Sequence, residues 1–327
     1  MNQNNKFILS PGYITGLVQT DGSFFCTIAL STKHRFGLQF RPKFTITADL
    51  NSKYVLISIL NYFGCGNITE NIKNHTAEFE VTKLENLHKI IIPHFKNNPL
   101  FCSKLHAFNL FSKIVYSLYN KEKRTLEGRK ELLIMALSMN ATTNRTEKRL
   151  DLLYSLLSIK TNKDKNLILN TINTVDTILS NDNIAGIIDG DGSFYVNFNK
   201  DGTINTGFSI TSDIFSMPLL KKIKEKFKGI GTIYKGSKNE LRYVIKGINQ
   251  INKILIPFMN DNHLFSERAL HYEKFKFVSQ ILVKEQPLSL ETKIKIVDLA
   301  YNANKEGKHR KLTKAEYIKL LNEIYNK

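Results

Sequence analysis

The sequence predicts an α+β fold made of two pseudo-symmetric repeats, each running α-β-β-α-β-β-α. Three observations predict it. The stretch Ile14-Thr15-Gly16-Leu17-Val18-Gln19-Thr20-Asp21-Gly22-Ser23-Phe24 returns as Ile184-Ala185-Gly186-Ile187-Ile188-Asp189-Gly190-Asp191-Gly192-Ser193-Phe194. The likeness then continues: Phe44-Thr45-Ile46-Thr47 returns as Phe208-Ser209-Ile210-Thr211, Gly64-Cys65-Gly66 as Gly229-Ile230-Gly231, and Leu100-Phe101 as Leu264-Phe265. Apolar residues also alternate between helical and strand spacing in the same order in both halves. The second copy is shorter in its first hairpin, around residues 32–35 against 200–201, and loop tips tolerate such differences. A period this long marks a duplicated domain, not a solenoid.

Each element has a local cause. Residues 14–21 and 184–191 read as short helices closed by Asp-Gly, with the glycine as a left-handed stop. Strands near 24–30 and 38–47 follow. In the second of these, the period of two puts Phe40, Phe44 and Ile46 on one face and Gln39, Arg41, Lys43, Thr45 and Thr47 on the other. Tyr54, Ile57, Leu60 and Asn61 recur at helical spacing over 53–63, and Gly64 and Gly66 end that helix. Strands near 67–72 and 77–82 come next. A helix over 84–92 must stop before Pro93, and a longer one covers 101–118. The second repeat predicts strands at 194–198, 203–211, 232–234 and 241–246, with helices at 218–227, 248–255 and 265–282. The domains are 12–140, a helical and charged linker at 141–180, 181–304, and a basic tail at 305–327. Helices over 126–139 and 148–157 lie between the repeats, followed by a polar stretch at 161–165, and a last helix covers 314–325.

The chain has 327 residues, 42% hydrophobic, and a formal net charge of +18. That is enough for two cores, and the charge favours a polyanionic partner. No apolar run approaches about 18 residues, so no spanning helix and no membrane partner is expected. The first dozen residues read as too short and polar for a secretory signal. Cys26, Cys65 and Cys102 have no metal-ligand spacing and read as reduced thiols. The histidines lack the spacing of a zinc site, and there is no Walker loop or dinucleotide fingerprint.

The repeated helix has two odd features. Gly16 and Thr20, like Gly186 and Gly190, stand four apart on one helix face, which suits close helix–helix packing. Asp21 and Asp191 sit at helix C-termini, where the macrodipole disfavours an acid by about 0.3–1 kcal/mol. If the helices pack together, the two carboxylates also repel. A divalent cation held by oxygen ligands, Mg2+ above all, would relieve both costs.

These two stretches resemble the signature of the LAGLIDADG homing endonucleases in their single-chain, two-repeat form. The second copy fits closely; the first departs at Gln19 and Thr20. The resemblance implies two four-stranded antiparallel sheets forming a saddle on a long asymmetric double-stranded DNA site, with the signature helices at the repeat interface. It implies a monomeric endonuclease making a staggered break, one strand per aspartate. The metal would be held by Asp21 and Asp191 and the backbone carbonyls of Thr20 and Gly190. Mg2+ is the expected cofactor, with Mn2+ as a substitute and Ca2+ binding without cleavage. A basic residue beside each centre is also implied, and the repeat alignment puts Lys104 and Arg268 there. Arg268 cannot serve as a base, so its role would be electrostatic. The candidate DNA-facing residues are Thr27, Gln39, Arg41, Lys43, Thr45, Asn67, Thr69, Asn197, Asn199, Ser209, Thr232, Tyr234 and Arg242.

One departure bears on catalysis. Many family members carry Gln after the second-strand Thr, where this chain has Ala48 and Ser212, each followed by an acid, Asp49 or Asp213. A catalytically silent DNA-binding protein therefore stands as one alternative; the other is a group I intron maturase, an RNA-binding splicing cofactor on the same fold and basic surface, against which the presence of both Asp21 and Asp191 favours the nuclease. The Asn-, Ile- and Lys-rich, Trp-free composition points to an AT-rich coding sequence, and together with the resemblance this implies an organelle-encoded gene, mitochondrial before chloroplast.

Overall fold

Ser10 starts the first helix by accepting a hydrogen bond from the Tyr13 amide, with Pro11 as the first helical residue. The helix, α1 (Pro11–Asp21), runs without a loop into β1 (Gly22–Leu30). Then come β2 (Leu38–Asp49), α2 (Lys53–Phe63), β3 (Asn67–Asn71) and β4 (Thr76–Val81). All neighbouring strands are antiparallel, in the order β1-β2-β4-β3. In the computed structural model, residues 8–139, 146–158, 178–236, 240–301 and 310–326 are described. Asn140, Asn304, the polar stretch 161–165 and most of the basic run after 304 lie outside them. The chain forms two units, Met1–Ile178 and Leu179–Lys327.

The second unit repeats the plan. Ser180 and Asn183 form a reciprocal cap on the helix Asn181–Asp191. The strands β5 (Gly192–Phe198), β6 (Ile204–Asp213), β7 (Thr232–Lys235) and β8 (Glu240–Ile245) take the order β5-β6-β8-β7.

The core lies on the apolar side of each sheet. Phe24 stacks on Phe44 at 5.0 Å between ring centroids and meets Phe95, Phe108 and Phe111, each at 5.3 Å. In the second unit Phe194 meets Phe208 at 5.1 Å, with Tyr272 and Phe275 at 5.2 Å. Each such pair adds about 0.5–1.5 kcal/mol to area burial. The matched Phe24 and Phe194, which directly follow the signature, thus seed both cores.

Three local expectations about helix ends fail in the structure. The Asp-Gly glycines are not left-handed: Gly22 has φ −85° and Gly192 φ −69°, both extended. Glycine is needed for space instead. A Cβ on Gly22 would lie 2.5 Å from Val18 Cγ1 and 2.7 Å from the Val18 carbonyl oxygen. On Gly192 it would lie 2.5 Å from the Ile188 carbonyl oxygen. The helix turns directly into a strand that folds back against its last turn, and only a bare Cα fits. Gly192→Ala is expected to cost about 1–3 kcal/mol through overpacking against backbone. Urea denaturation would show it; wild-type stability would contradict this account.

The helix before Pro93 does not stop. It runs from Leu84 to Asn97 through a π-helical turn, Leu87–Ile91. A proline inside an α-helix clashes with the carbonyl four residues back. The wider turn relieves that clash, and the same solution recurs at Ile251–Leu255 ahead of Pro257. The long second-unit helix starts later than its pattern suggests, at Arg268 rather than 265.

The segments flanking the repeats are docked. In the helix Glu147–Leu156, Arg149 Nη2 donates to the Ile28 carbonyl at 3.0 Å and Leu153 is buried. The C-terminal helix Lys314–Tyr325 has a Thr313–Glu316 capping box. Its Tyr317 hydroxyl donates to the Asn199 carbonyl at 3.0 Å. Arg310 is not a solvated tail charge: its guanidinium lies 4.5 Å from both the Phe198 and Tyr301 rings. Among the described residues no helix is long and apolar enough to cross a membrane.

Candidate functional site

In each unit the signature acid ends a helix whose last carbonyls need donors. Asp21 is half-buried and Asp191 exposed. The donors come from the start of the long helix that packs on the same junction. Lys104 Nζ donates to the Gly22 carbonyl at 2.5 Å. Arg268 donates from Nε to the Asp189 carbonyl at 2.9 Å, from Nη2 to the Gly190 carbonyl at 2.5 Å, and from Nη1 to the Gly192 carbonyl. A cation thus touches the residue that follows each aspartate. This also answers the electrostatic oddity of the sequence: a lysine or arginine at a helix C-terminus offsets the dipole that an acid there would aggravate. Lys104 and Arg268 are where the repeat alignment put them.

A second pair of matched residues holds that geometry, and sequence reasoning assigned it no role. Gln19, 9% exposed, donates through Nε2 to the Phe101 carbonyl at 3.3 Å and accepts from the Phe101 amide at 2.9 Å. Asp189, 3% exposed, accepts from the amides of Phe265 at 2.6 Å and Ser266 at 2.9 Å, and from the Ser266 hydroxyl. Gln19 and Asp189 occupy the same signature position, two before the terminal aspartate. Phe101 and Phe265 are the matched Leu-Phe phenylalanines. Each bond pair therefore pins the entry of the long helix to the signature helix, three residues before Lys104 or Arg268. The Gln19 departure from the family pattern keeps this function by using an amide in place of a carboxylate. The signal was available as matched buried polar positions in both repeats.

Among the described residues no three His, Cys, Asp or Glu side chains gather as a metal-binding group. An ion at either junction would take one protein carboxylate and backbone oxygen, and draw its other oxygens from phosphate and water. Mg2+ is commonly held in that way, so the donor set fits it. In the second unit the Gly190 carbonyl already accepts from Arg268, so only its remaining lone pair is left for a metal.

The open faces of the two sheets differ. On the first, Thr27, Arg41, Asn67 and Thr69 are exposed, and Gln39 and Lys43 half-buried. Thr27 pairs with Arg41 and Thr69 with Glu78 across the ladder. Arg41 donates to Gln39 Oε1 from Nε at 3.0 Å and from Nη2 at 2.6 Å. Thr45 lies on this face but is 3% exposed, enclosed between its ladder neighbours Ser23 and Glu80, so it offers no base contact. Glu78 and Glu80 stand on the same face and were not anticipated. A groove of about 510 Å³ runs beside the part of β2 that has no β4 partner, lined by Thr27, Gln39, Arg41 and Lys43 together with Thr82 and Leu118.

On the second sheet Asn197, Thr232, Tyr234 and Arg242 are exposed and Ser209 half-buried. Asn197 donates to its ladder partner Asn205 at 3.0 Å. Asn199 is displaced from the face: it lies beyond the end of β5, in the hairpin, with its side chain bonded to Thr203 at 2.8 Å. Tyr195 was missed. Its ring covers Gly207, where a Cβ would meet Tyr195 Cζ at 2.4 Å, and burial raises its pKa. Asp49 and Asp213 each cap a short turn by accepting from the amide of Asn51 at 2.9 Å or Phe215 at 2.7 Å.

The family model described as "LAGLIDADG endonuclease" matches residues 14–115 and 184–279. The probable intron-encoded endonuclease 2 of Neurospora crassa is 30% identical over 296 residues, covering 89% of this chain and 64% of its own length. The chain thus spans less than two thirds of that relative. The homing endonuclease I-ApeII of Aeropyrum pernix is 30% identical over 154 residues, covering 46% of this chain and 90% of its own length. Among solved structures, I-SmaMI bound to an uncleaved DNA target with calcium ions superposes with a TM-score of 0.80 at 24% identity, over 92% of this chain and 100% of that one. At that identity the likeness is one of fold.

Proposed function

The chain belongs to the LAGLIDADG endonuclease family, and we propose that it is a site-specific, Mg2+-dependent endonuclease that cuts both strands of double-stranded DNA, one strand per repeat. The carrying observation is the junction that occurs twice: an aspartate at a helix end, with Lys104 or Arg268 on the carbonyl of the residue after it. Phosphodiester hydrolysis needs an attacking water, charge neutralisation at the phosphorane, and help for the leaving oxygen. The metal supplies Lewis-acid stabilisation and lowers the pKa of bound water. Asp21 and Asp191 would each hold an ion at its own junction. Lys104 and Arg268 bring positive charge to the developing negative phosphorane. Gln19 and Asp189 orient those cations by fixing the helix that carries them. The open sheet faces bind the duplex, where strands can reach major-groove base edges. A single chain carries both centres, so a monomer suffices.

The test is cleavage selection. The purified protein is incubated with a randomised duplex library and Mg2+, with Ca2+ in parallel, and the broken ends are sequenced. One long motif with staggered ends, cut only with Mg2+, is the expected result. No cutting, together with tight binding to a structured intron RNA, would move the reading to a splicing cofactor. The same reading puts the gene in an organellar intron, and flanking exons of a nuclear gene would contradict that.

A further inference from the structure

The first sheet carries two carboxylates where a phosphate-binding face would carry cations. Lys43 Nζ lies 2.8 Å from Glu78 Oε1 and also contacts Glu80 Oε2. All three side chains keep part of their surface open, 24% for Lys43, 36% for Glu78 and 23% for Glu80. Burial alone would lower the Lys43 pKa, but its hydrogen bonds to Glu78 and Glu80 outweigh that and raise it, so the ammonium stays charged. The cluster therefore has one excess negative charge. Such a cluster repels the phosphate backbone, which supplies most sequence-independent affinity. It suits base edges instead. The second sheet differs at the same ladder positions. Opposite Thr47 and Thr69 stands Glu78; opposite the corresponding Thr211 and Tyr234 stands Arg242.

Resting on the endonuclease reading, we propose that Lys43 and Glu78 together read one C·G base pair in the half-site under the first repeat. Glu78 accepts from the cytosine N4 amino group, and Lys43, with two of its three N–H donors on Glu78 and Glu80, shares the third between guanine O6 and N7. Glu80 is a positioning residue that holds Lys43 in place.

The spacing supports this. The cytosine amino group and guanine O6 are bonded to each other at about 2.9 Å, close to the 2.8 Å between the ammonium and carboxylate that would face them. An A·T pair also shows an amino group beside a carbonyl. There, however, the carboxylate would approach adenine N7, a second acceptor, and the ammonium would meet the thymine methyl. Guanine instead gives the ammonium two acceptors side by side, and cytosine puts no acceptor next to its amino group. Both neighbours favour C·G.

The test uses the full chain in Ca2+ buffer with a randomised duplex library, sequencing what binds. Wild type is expected to enrich a long motif with one C·G pair that depends on this couple. Glu78→Gln should shift that position from C toward A by about tenfold or more, because Gln pairs with adenine N6 and N7. Lys43→Met should flatten the same position and leave the rest of the motif, which also shows that the variants fold. Glu80→Gln should weaken that position's G·C preference less than Lys43→Met does. An unchanged C in Glu78→Gln, or a uniform affinity change across all sequences, would overturn the proposal while leaving the endonuclease reading standing. No enrichment by wild type would overturn both.

Discussion

Asp21→Asn is expected to turn a double-strand cutter into a nicking enzyme. The amide keeps the shape of the carboxylate but removes the charge that would hold the metal. Cutting of one strand should fall by on the order of 10³-fold, about 4 kcal/mol of transition-state stabilisation. The other strand depends on Asp191 and should be cut as before. Asp191→Asn should leave the opposite strand uncut, and the double variant should bind its target without cutting. Stability separates this from a folding defect. The amide keeps the volume of the acid at a helix end where the dipole disfavours negative charge by about 0.3–1 kcal/mol, so each Tm should stay within about 3 °C of wild type. The measurement is strand-specific cleavage on labelled duplex, with Tm in parallel. Undiminished double-strand cutting by Asp21→Asn would sink the one-centre-per-repeat scheme.

Asp189→Ala is expected to have the largest effect on stability. The carboxylate is 3% exposed and accepts from two backbone amides and a hydroxyl at the start of the helix Arg268–Lys284. Removing it strands those donors. Each charge-assisted bond is worth about 1.5–3 kcal/mol, and an unsatisfied buried amide costs about as much. The three bonds share one carboxylate, and the Phe265 and Ser266 amides are only part-buried, so water recovers some of the loss and the total is about 3–5 kcal/mol, or about 10 °C in the Tm of the second unit. Cutting by the Asp191 centre should fall with it, because Arg268 loses its placement. Gln19→Ala removes only neutral hydrogen bonds to Phe101, so about 1–2 kcal/mol is expected in the first unit. Calorimetry on the full chain would compare them. A Tm within a degree of wild type for Asp189→Ala would show that this contact holds nothing.

Much of the site could be read from local pattern. The duplicated signature pointed to Asp21 and Asp191, and the constant spacing from the Leu-Phe pair pointed to Lys104 and Arg268, which lie on the carbonyls of Gly22 and Gly192. Alternation along residues 38–47 correctly separated the core side of β2 from its open side, because side-chain direction in a strand follows from the backbone alone. Thr45 shows the limit: alternation gives the face of a residue, not whether its ladder neighbours enclose it. Asn199 shows another, since the exact strand end is set by the turn rather than by polarity. Pro93 was read by a local rule that a π-helical turn circumvents.

The sequence by itself determined the repeat, the order of elements, the two faces of each sheet and the four charged residues at the junctions, because these depend on short-range periodicity and on comparing the chain with itself. Tertiary structure decided the rest. Gly22 and Gly192 are glycines for want of room beside Val18 and Ile188, not for a left-handed turn. Gln19 and Asp189 clamp residues some eighty positions away, Arg268 reaches three carbonyls, and Glu78 and Glu80 claim Lys43 across strands. Each is a contact between segments far apart in the chain, set by ladder register and helix packing that no local window contains.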